Sequence, residues 1–329
     1  MKTKITYKNV SSFVQTAEGV FVFGDKYSDE KDLPEKSVKL DLFGSRFCFS
    51  IGDKILVETD EENVIYSNNG SRVSSISKDF NLASLTEINN EWIIGNFVTK
   101  THWVVNKQLE FKNLETYFGF TQSLNGKFIR FLPKKLEFFD TYGGDLRWQF
   151  DPENYGRNIK FSRDFKEVLS DEPNYISGSP FSDNDNLFIP LEGGQLVALN
   201  INNGEFKWML EQQINGSYIY DSGSIYKKIS KEIFKINPIT GSVDRQLNFY
   251  EAEISNGLLS TQPFWITNDY IFVCDTLNGT LCQIDKDQFE VVAILEINSK
   301  IPNSTNSMIV FEDTAYLIDL DNNLHLIEF

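Results

Sequence analysis

The 329-residue chain contains little cysteine, little histidine and no long apolar run. Its three cysteines, Cys48, Cys274 and Cys282, are odd in number and lack the spacing of metal ligands, so we expect reduced, buried thiols. Its two histidines, His102 and His325, accompany no serine or cysteine nucleophile motif, and we expect each to be an ordinary strand residue. The sequence therefore predicts no catalytic, cofactor-binding or metal-binding residues.

Basic residues are also scarce, with 31 Lys and Arg against 47 Asp and Glu, so the formal net charge is −16. Nucleic-acid and anionic-membrane binding both require clustered basic residues, and this charge argues against them. No stretch approaches the roughly 18 apolar residues of a membrane-spanning helix. Residues 1–15 lack the apolar core of a secretion signal, so we expect a cytoplasmic protein without nucleic-acid or membrane partners.

Aromatic residues, in contrast, make up 14% of the chain, and they lie in short alternating runs separated by turn residues. This pattern is typical of antiparallel β-hairpins. The best helix candidate is the short segment 162–170. The predicted hairpins pair residues 20–25 with 37–42, 54–59 with 63–67, 91–96 with 102–106, 127–132 with 136–140, 187–191 with 195–200, 224–229 with 232–237, 270–275 with 281–285, and 315–320 with 324–329.

One strand–turn–strand unit recurs along the chain. Residues 136–148 read LEFFDTYGGDLRW and residues 196–208 read LVALNINNGEFKW, whereas 233–245 ends on arginine and 281–293 keeps only the first half. The glycines of the unit, Gly144, Gly204 and Gly241, are expected to adopt a positive φ in the turn. The tryptophans of the unit, Trp148 and Trp208, are expected to pack between neighbouring repeats.

This repetition predicts an all-β protein, a single closed β-propeller domain spanning residues 1–329. We expect four-stranded blades, seven if the first two hairpins merge into one irregular blade, with eight as the alternative. The N-terminal segment 4–8 is expected to supply the missing outer strand of the last blade and so to remove an exposed edge. Residues 151–172 are expected to form a polar insertion.

The repeat at residues 196–208 resembles the blade motif of the pyrroloquinoline-quinone-like (quinoprotein-type) β-propellers. Residues 136–148 match that motif well, 233–245 match partly, and 281–293 match weakly. The resemblance implies a fold and no active site, because the motif specifies blade docking. Family members include quinone- and calcium-binding alcohol dehydrogenases and scaffolds of outer-membrane assembly. This chain lacks the adjacent-cysteine pair of the dehydrogenases, so we expect a degenerate, non-enzymatic member without a cofactor.

Assigning the loops of such a propeller places many acidic residues on one face. A solvated acidic surface is the plain interpretation, and a docking face for a basic partner is the sharper one. Nearby aromatic residues suit an interface, where they anchor the partner while the charges steer it. The acids are Asp29, Glu30, Asp32, Glu35, Asp60, Glu61, Glu62, Asp151, Glu153, Glu211, Glu251 and Glu253, and the aromatics are Tyr27, Phe80, Tyr155, Tyr218 and Phe249.

Three hypotheses about function follow. The first is a non-catalytic protein-binding module, in its most concrete form a cytoplasmic immunity protein, monomeric until it binds, that covers the active site of a basic secreted toxin such as a nuclease. The second is a scaffold or sensor that binds a small ligand in the central channel. The third is a propeller hydrolase or lyase, which would need convergent carboxylates or histidines with perturbed pKa values.

Overall fold

A computed structural model shows short β-strands joined by tight turns. The structure describes residues 2–7, 10–15, 20–24, 37–40, 47–58, 62–67, 69–76, 84–88, 91–96, 101–106, 108–114, 120–124, 127–132, 134–141, 144–161, 167–210, 217–229, 232–249, 264–275, 279–302 and 307–329. No helix among these residues is long and apolar enough to cross a membrane.

The strands are short because turn residues repeatedly interrupt the apolar alternation. A one-turn 3-10 helix, Pro152–Asn154, lies between two of them. In chain order the strands are β1 (Lys2–Tyr7), β2 (Val10–Gln15), β3 (Val20–Gly24), β4 (Ser37–Leu40), β5 (Phe47–Ile51), β6 (Lys54–Glu58), β7 (Asn63–Tyr66), β8 (Arg72–Ile76), β9 (Ser84–Ile88), β10 (Glu91–Asn96), β11 (Thr101–Val105), β12 (Phe111–Leu114), β13 (Phe120–Leu124), β14 (Lys127–Leu132), β15 (Lys135–Phe139), β16 (Leu146–Phe150), β17 (Arg157–Phe161), β18 (Glu167–Pro173), β19 (Phe181–Ser182), β20 (Asn186–Pro190), β21 (Leu196–Asn200), β22 (Phe206–Leu210), β23 (Ser217–Asp221), β24 (Ser224–Ile229), β25 (Glu232–Ile236), β26 (Val243–Asn248), β27 (Phe264–Ile266), β28 (Tyr270–Asp275), β29 (Thr280–Asp285), β30 (Glu290–Glu296), β31 (Met308–Phe311), β32 (Thr314–Ile318) and β33 (Leu324–Glu328).

Seven sheets have four strands each, and they are the blades of a β-propeller. Six of them use consecutive strands, β5–β8, β9–β12, β13–β16, β19–β22, β23–β26 and β27–β30. The seventh has the order β1-β33-β32-β31, so the N-terminal strand completes the last blade as predicted. A three-stranded sheet β2-β3-β4 and the hairpin β17-β18 are additional to the blades, and β17-β18 overlaps the segment 151–172 predicted as a polar insertion and ends one residue beyond it.

The structure has seven four-stranded blades, but the first two predicted hairpins do not merge into one blade as expected. The hairpin at 54–59 and 63–67 belongs to its own complete blade, β5–β8. Strand β3 pairs antiparallel with β2 and parallel with β4, so the predicted hairpin of 20–25 with 37–42 is wrong. The connection between β3 and β4 is about a dozen residues long, which is enough for the crossover that parallel pairing requires.

The predicted helix at 162–170 is also wrong where the structure describes it, because residues 167–170 belong to β18. Strand β18 pairs with β17 and places Leu169 opposite Ile159. Cross-strand pairing of this kind outweighs the weak helical periodicity of so short a segment.

Middle strands are buried on both faces, whereas outer strands are half exposed. All five residues of β20 and five of the six residues of β24 and β28 are buried. The outer strand β30 instead alternates strictly between exposed and partly buried residues. This gradient is expected where neighbouring blades pack face to face and leave only the last strand to solvent.

The repeat unit forms a bulge followed by a tight turn. In β21–β22 and β25–β26 the register shifts just before Asn200 and Asn237, whose side-chain oxygens then accept backbone N–H groups two residues on. Gly204 and Gly241 follow with φ values of 74° and 73°, as predicted. Gly144 differs, because its φ lies outside the left-handed region, and a Cβ there would instead collide with Thr141.

The tryptophans of the repeat dock on the next blade, which confirms their predicted role. The Nε1 of Trp148 donates to the carbonyl of Ile201 at 3.3 Å, and the Nε1 of Trp208 donates to the carbonyl of Pro238 at 3.0 Å. A Cβ on Gly204 would lie 2.7 Å from the ring of Trp148. Glycine is therefore required both by backbone conformation and by the approaching indole.

Spatial clustering divides the chain into two compact units. The first comprises Met1–Leu85, Asn90–Leu114 and Gln262–Phe329, and the second comprises Thr86–Asn89 and Glu115–Thr261. Each unit contains its own buried clusters, such as Phe138, Leu187, Val197 and their neighbours in the second unit. The candidate site described next lies wholly in the second unit. The extent of the domain, 1–329, stays a prediction.

Candidate functional site

The 3-10 helix Pro152–Asn154 holds two of the predicted acids at the surface. Asp151 precedes it and accepts a hydrogen bond from the backbone N–H of Glu153 at 2.9 Å, while buried Pro152 begins the turn without needing an acceptor. The side chains of Asp151 and Glu153 are both exposed. The turn thus fixes two carboxylates directly after β16.

An aromatic row lies beside these acids. The ring of Tyr155 stacks on Phe150 with 4.9 Å between centroids and on Phe206 at 5.8 Å. Phe206 lies on β22 and is 53% exposed, and Tyr175 is 43% exposed. Burial raises the pKa of Tyr155, so its hydroxyl stays protonated at neutral pH. We call Asp151, Glu153, Tyr155, Tyr175 and Phe206 the acid–aromatic surface.

The buried side chain of Asn174 fastens this surface together. Its Nδ2 donates to the carbonyl of Tyr155 at 3.0 Å and to Oε1 of Gln195 at 2.9 Å. Its Oδ1 accepts from the backbone N–H of Gly193 at 3.0 Å and of Tyr175 at 3.1 Å. One amide therefore connects the segment after the 3-10 helix, the loop at Tyr175 and the β20–β21 turn.

A cavity of about 380 Å³ opens next to the 3-10 helix. Its size is at the lower end of the range for ligand pockets. The lining combines apolar and polar groups, namely Phe131, Leu132, Lys134, Pro152, Tyr175, Ile176, Ser177, Gly178 and Ser179.

A weak ion pair lies at this cavity. The Nζ of Lys134 is 3.4 Å from Oε1 of Glu153, and the two side chains are 80% and 39% exposed. Exposed pairs of this kind contribute little, since water screens them and both side chains lose rotamer freedom. The Glu153 carboxylate can therefore exchange this lysine for another cation at small cost.

The structure brings together three of the eleven predicted partner-binding residues, Asp151, Glu153 and Tyr155, around the 3-10 helix. Glu62 belongs to the first unit, where Oε2 accepts from Arg72 at 2.7 Å. The other seven lie outside the described residues, and these are Asp29, Glu30, Asp60, Glu61, Glu211, Glu251 and Glu253.

Two of the predicted interface aromatics are not available as a surface. Phe249 is fully buried, and the hydroxyl of Tyr218 is buried although the residue as a whole is partly exposed. Tyr27 and Phe80 lie outside the described residues. In a β-protein most aromatics fill the core, and loop proximity alone cannot separate the exceptions.

Sequence reasoning missed Asn174, Tyr175 and the cavity. The side-chain partners of Asn174 lie about twenty residues away along the chain, at Tyr155 and at Gly193–Gln195, so no local spacing reveals them. Phe206 was missed because simple alternation places it on the same side of β22 as Trp208. The register shift between these two residues instead pairs Phe206 with Leu199 and Trp208 with Ala198, on opposite faces of the sheet.

The ring of His325 is hydrogen-bonded to a buried carboxylate. His325 Nε2 lies 2.9 Å from Oδ2 of Asp319, whose side chain is fully buried. Burial opposes ionisation of Asp319, but hydrogen bonds from Asn323 and His325 outweigh it and lower the pKa. This confirms the expectation for His325, whereas His102 lies in β11 with its side chain outside the described set. Cys274 and Cys282 are buried, also as predicted, whereas the side chain of Cys48 lies outside the described set.

Comparison with known proteins supports the fold class. No known family matches the chain. An uncharacterized protein of Rickettsia conorii is 26% identical over 174 residues, covering 44% of this chain and 41% of that protein. The chain thus spans well under half of the length of that relative.

Solved structures resemble the chain over most of its length. BamB from Moraxella catarrhalis has a TM-score of 0.59 at 11% identity and covers 100% of this chain and 97% of its own. Sqt1 from Saccharomyces cerevisiae has a TM-score of 0.55 at 11% identity, covering 86% and 83%. The computationally designed Ika8 protein has a TM-score of 0.50 at 9% identity, covering 89% and 99%. At such identities the likeness shows the fold alone, which is the β-propeller.

Proposed function

We propose that this β-propeller is a non-catalytic protein-binding module that docks its partner on the acid–aromatic surface. The observation that carries the proposal is the aromatic row of half-buried Tyr155 and exposed Phe206 beside the carboxylates of Asp151 and Glu153. Aromatic side chains anchor interfaces through large apolar area, and charges beside them steer the encounter and select the partner.

In its most specific form, the proposal is an immunity protein that covers the active site of a basic toxin such as a nuclease. The net charge of −16 supports it, because it attracts cationic partners and accelerates their association. Nucleases need cationic clefts to hold phosphate, and an acidic surface seated over such a cleft would exclude the nucleic acid.

The ion-paired carboxyl groups support the non-catalytic part of the proposal. Burial opposes ionisation of Glu137, yet hydrogen bonds from Lys135 and Arg130 lower its pKa, as hydrogen bonds do for Asp319. General acids in hydrolases need the opposite shift, a carboxyl pKa raised toward neutrality. These two carboxylates stabilise strands instead.

We also propose that the repeats are of the pyrroloquinoline-quinone-like type. The indoles of Trp148 and Trp208, each hydrogen-bonded to the following blade and covered by a glycine, support this assignment. The shared feature is blade docking, so the assignment brings no cofactor with it.

A pull-down from source cells, including the product of the neighbouring gene, at low and high salt tests the proposal. We expect one basic protein whose capture falls as salt rises. Titration calorimetry should then show at least tenfold weaker binding for the double variant Tyr155→Ala/Phe206→Ala, with Val292→Ala/Ile294→Ala on exposed strand β30 as the matched control. Equal affinities for both double variants, or no partner at either salt, would overturn the proposal.

A small-ligand scaffold is the second candidate, and one observation favours it. In the second unit, the Tyr218 hydroxyl and the Oε1 of Gln122 are buried, and neither has a hydrogen-bond partner among the described residues. Both belong to first strands of their blades, β23 and β13. Unpaired buried polar atoms are costly, and a polar ligand would satisfy them. A thermal-shift screen of small polar compounds tests this alternative, and a rise that Tyr218→Phe abolishes would favour it.

A further inference from the structure

The cavity beside the 3-10 helix has the composition of a site for a long amphipathic side chain. Phe131, Leu132, Pro152 and Ile176 supply apolar lining, and Ser177 and Ser179 supply hydroxyl groups. A purely aliphatic occupant would leave the hydroxyls unused, and a small polar one would leave the apolar wall in water. The lining therefore favours an occupant with an apolar stem and a polar end.

The charged groups at the cavity decide the sign of that polar end. Lys134 lines the cavity, and its Nζ lies 3.4 Å from Oε1 of the neighbouring Glu153, while Asp151 adds a second exposed carboxylate next to the helix. Lys134 is 80% exposed, so it gives up this contact at little cost. A cation from a partner molecule can take its place.

Tyr175 decides between the two long cationic side chains. Tyr175 lines the cavity and the residue is 43% exposed, which leaves room for a flat group to stack on it. The guanidinium of arginine is planar, weakly hydrated and able to stack while donating two parallel hydrogen bonds to a carboxylate. The ammonium of lysine is compact and strongly hydrated, and it gains less from such a site.

We propose that this cavity binds an arginine side chain of the partner protein, with the guanidinium between Tyr175 and Glu153 and the methylene stem along the apolar wall. The proposal rests on the proposed function and specifies its anchor. An arginine held in a partly enclosed pocket is a typical interface hot spot. Lys134 then acts as a competitor for Glu153 that the incoming arginine displaces.

Titration of the protein with arginine amide, followed by NMR chemical shifts of the tyrosine rings, tests the anchor directly. We expect weak saturable binding of arginine amide, at least fivefold weaker binding of lysine amide, and no binding of citrulline amide, which has the same shape without the charge. Glu153→Gln and Tyr175→Ala should each weaken arginine amide at least fivefold. Lys134→Ala should tighten it two- to fivefold, and Lys300→Ala, the same charge change at an exposed position of the first unit, should leave it unchanged.

The outcomes separate this inference from the function on which it rests. Equal binding of citrulline and arginine amides, or unchanged affinity for Glu153→Gln, would overturn the arginine site. A partner that is lost with Tyr155→Ala/Phe206→Ala but retained by Glu153→Gln would also overturn it while leaving the proposed function intact. Specific binding of arginine amide without any captured protein would support the site and contradict the proposed function.

Discussion

At the scale of single residues, Asn174 illustrates how one buried amide can shape a surface. Its two side-chain atoms make four hydrogen bonds to three separate segments, and the residue is 2% exposed. Each of these hydrogen bonds adds only modestly to the net stability of the fold. Losing one is costly, because a buried donor or acceptor without a partner retains its full desolvation cost.

Asn174→Ala is therefore expected to lower the free energy of unfolding by about 2–4 kcal/mol, since the backbone N–H of Gly193 and the carbonyl of Tyr155 lose their partner. Urea denaturation measures this change. Asn184→Ala, in an exposed turn, is the control and should remain within about 0.5 kcal/mol of wild type. A similar small change for both variants would contradict the role assigned to Asn174.

Lys227 is a second residue whose environment determines its chemistry. It is fully buried on β24, with its Nζ 3.4 Å from the carbonyl of Gly194 and 4.7 Å from the ring centroid of Tyr218. Burial lowers the pKa of Lys227 to about 7 from its ordinary value of 10.5. Since the folded protein binds this proton less tightly than the unfolded chain, Lys227 destabilises the fold fully below pH 7 and progressively less as the pH rises toward 10.5.

Lys227→Met, which keeps the length of the side chain and removes the charge, should be more stable than wild type at pH 6.5 by roughly a few kcal/mol. The gap should narrow steadily between pH 7 and pH 9.5, because the wild type regains stability in that window. Thermal unfolding across this pH range measures both effects. Lys300→Met, at an exposed position, should show no pH-dependent gap, and a constant gap for Lys227→Met would refute the burial argument.

At the scale of elements, the outer hairpin of the blade is a reproducible unit even where its sequence has diverged. A register shift precedes the turn in β7–β8, β15–β16, β21–β22, β25–β26 and β29–β30 alike. In the weakly matching repeat at 281–293, Phe289 stands at the position of the glycine and adopts a φ of 58°. Its backbone N–H donates to the carbonyl of Asp285, just as the N–H of Gly204 donates to the carbonyl of Asn200. The bulge and turn geometry therefore persist without the glycine.

Where the glycine of the repeat is kept, a tryptophan ring packs directly against it. The stability cost of this packing can be measured separately from the cost of backbone strain. Gly241→Ala places a Cβ 2.6 Å from the ring of Trp208 at a φ of 73°, whereas Gly223→Ala at a φ of 76° meets nothing within 4 Å. Gly223→Ala should cost about 1 kcal/mol from the left-handed backbone alone. Gly241→Ala should cost at least about 2 kcal/mol more, since the buried indole cannot move freely. Equal losses in urea denaturation would remove the packing argument.

At the scale of the whole molecule, the last blade joins the two ends of the chain. Strand β1 pairs with β33 from Lys2 opposite Glu328 to Tyr7 opposite Leu324, so β33 has neighbours on both sides. Without β1, the N–H and C=O groups of β33 would form an open sheet edge, which is both less stable and prone to association.

Deletion of residues 1–7 should lower the melting temperature and promote aggregation, because β33 would lose its outer partner. Calorimetry and light scattering measure the two effects. Addition of a synthetic peptide of residues 1–9 should restore the melting temperature in a concentration-dependent way, whereas a scrambled peptide should not. A truncated chain as stable as wild type would show that the β1–β33 pairing contributes little.

Local sequence determined the blades of this protein, because the signals that define them are local. Alternating apolar residues set the strands, and Asn200 and Asn237 open turns that Gly204 and Gly241 complete. Seven of the eight predicted hairpins pair as expected, and only the first, which depends on a longer connection, was assigned the wrong partner. Within the candidate site, Asp151, Glu153 and Tyr155 were predicted for the same reason, since they share one short loop.

Tertiary structure alone decided what surrounds that loop. The segments that contact Tyr155 or line the cavity come from elsewhere in the second unit, and they contribute Asn174, Tyr175 and Phe206. A hydrogen bond or ring contact between residues twenty to fifty positions apart produces no periodic pattern in the sequence, so it cannot be predicted from local spacing. Burial was likewise decided in three dimensions, since Lys227 and the exposed Lys134 belong to the same residue type and differ only in what packs around them. Chain-local patterns specify the repeat, and the packing of distant segments specifies the surface that the repeat presents.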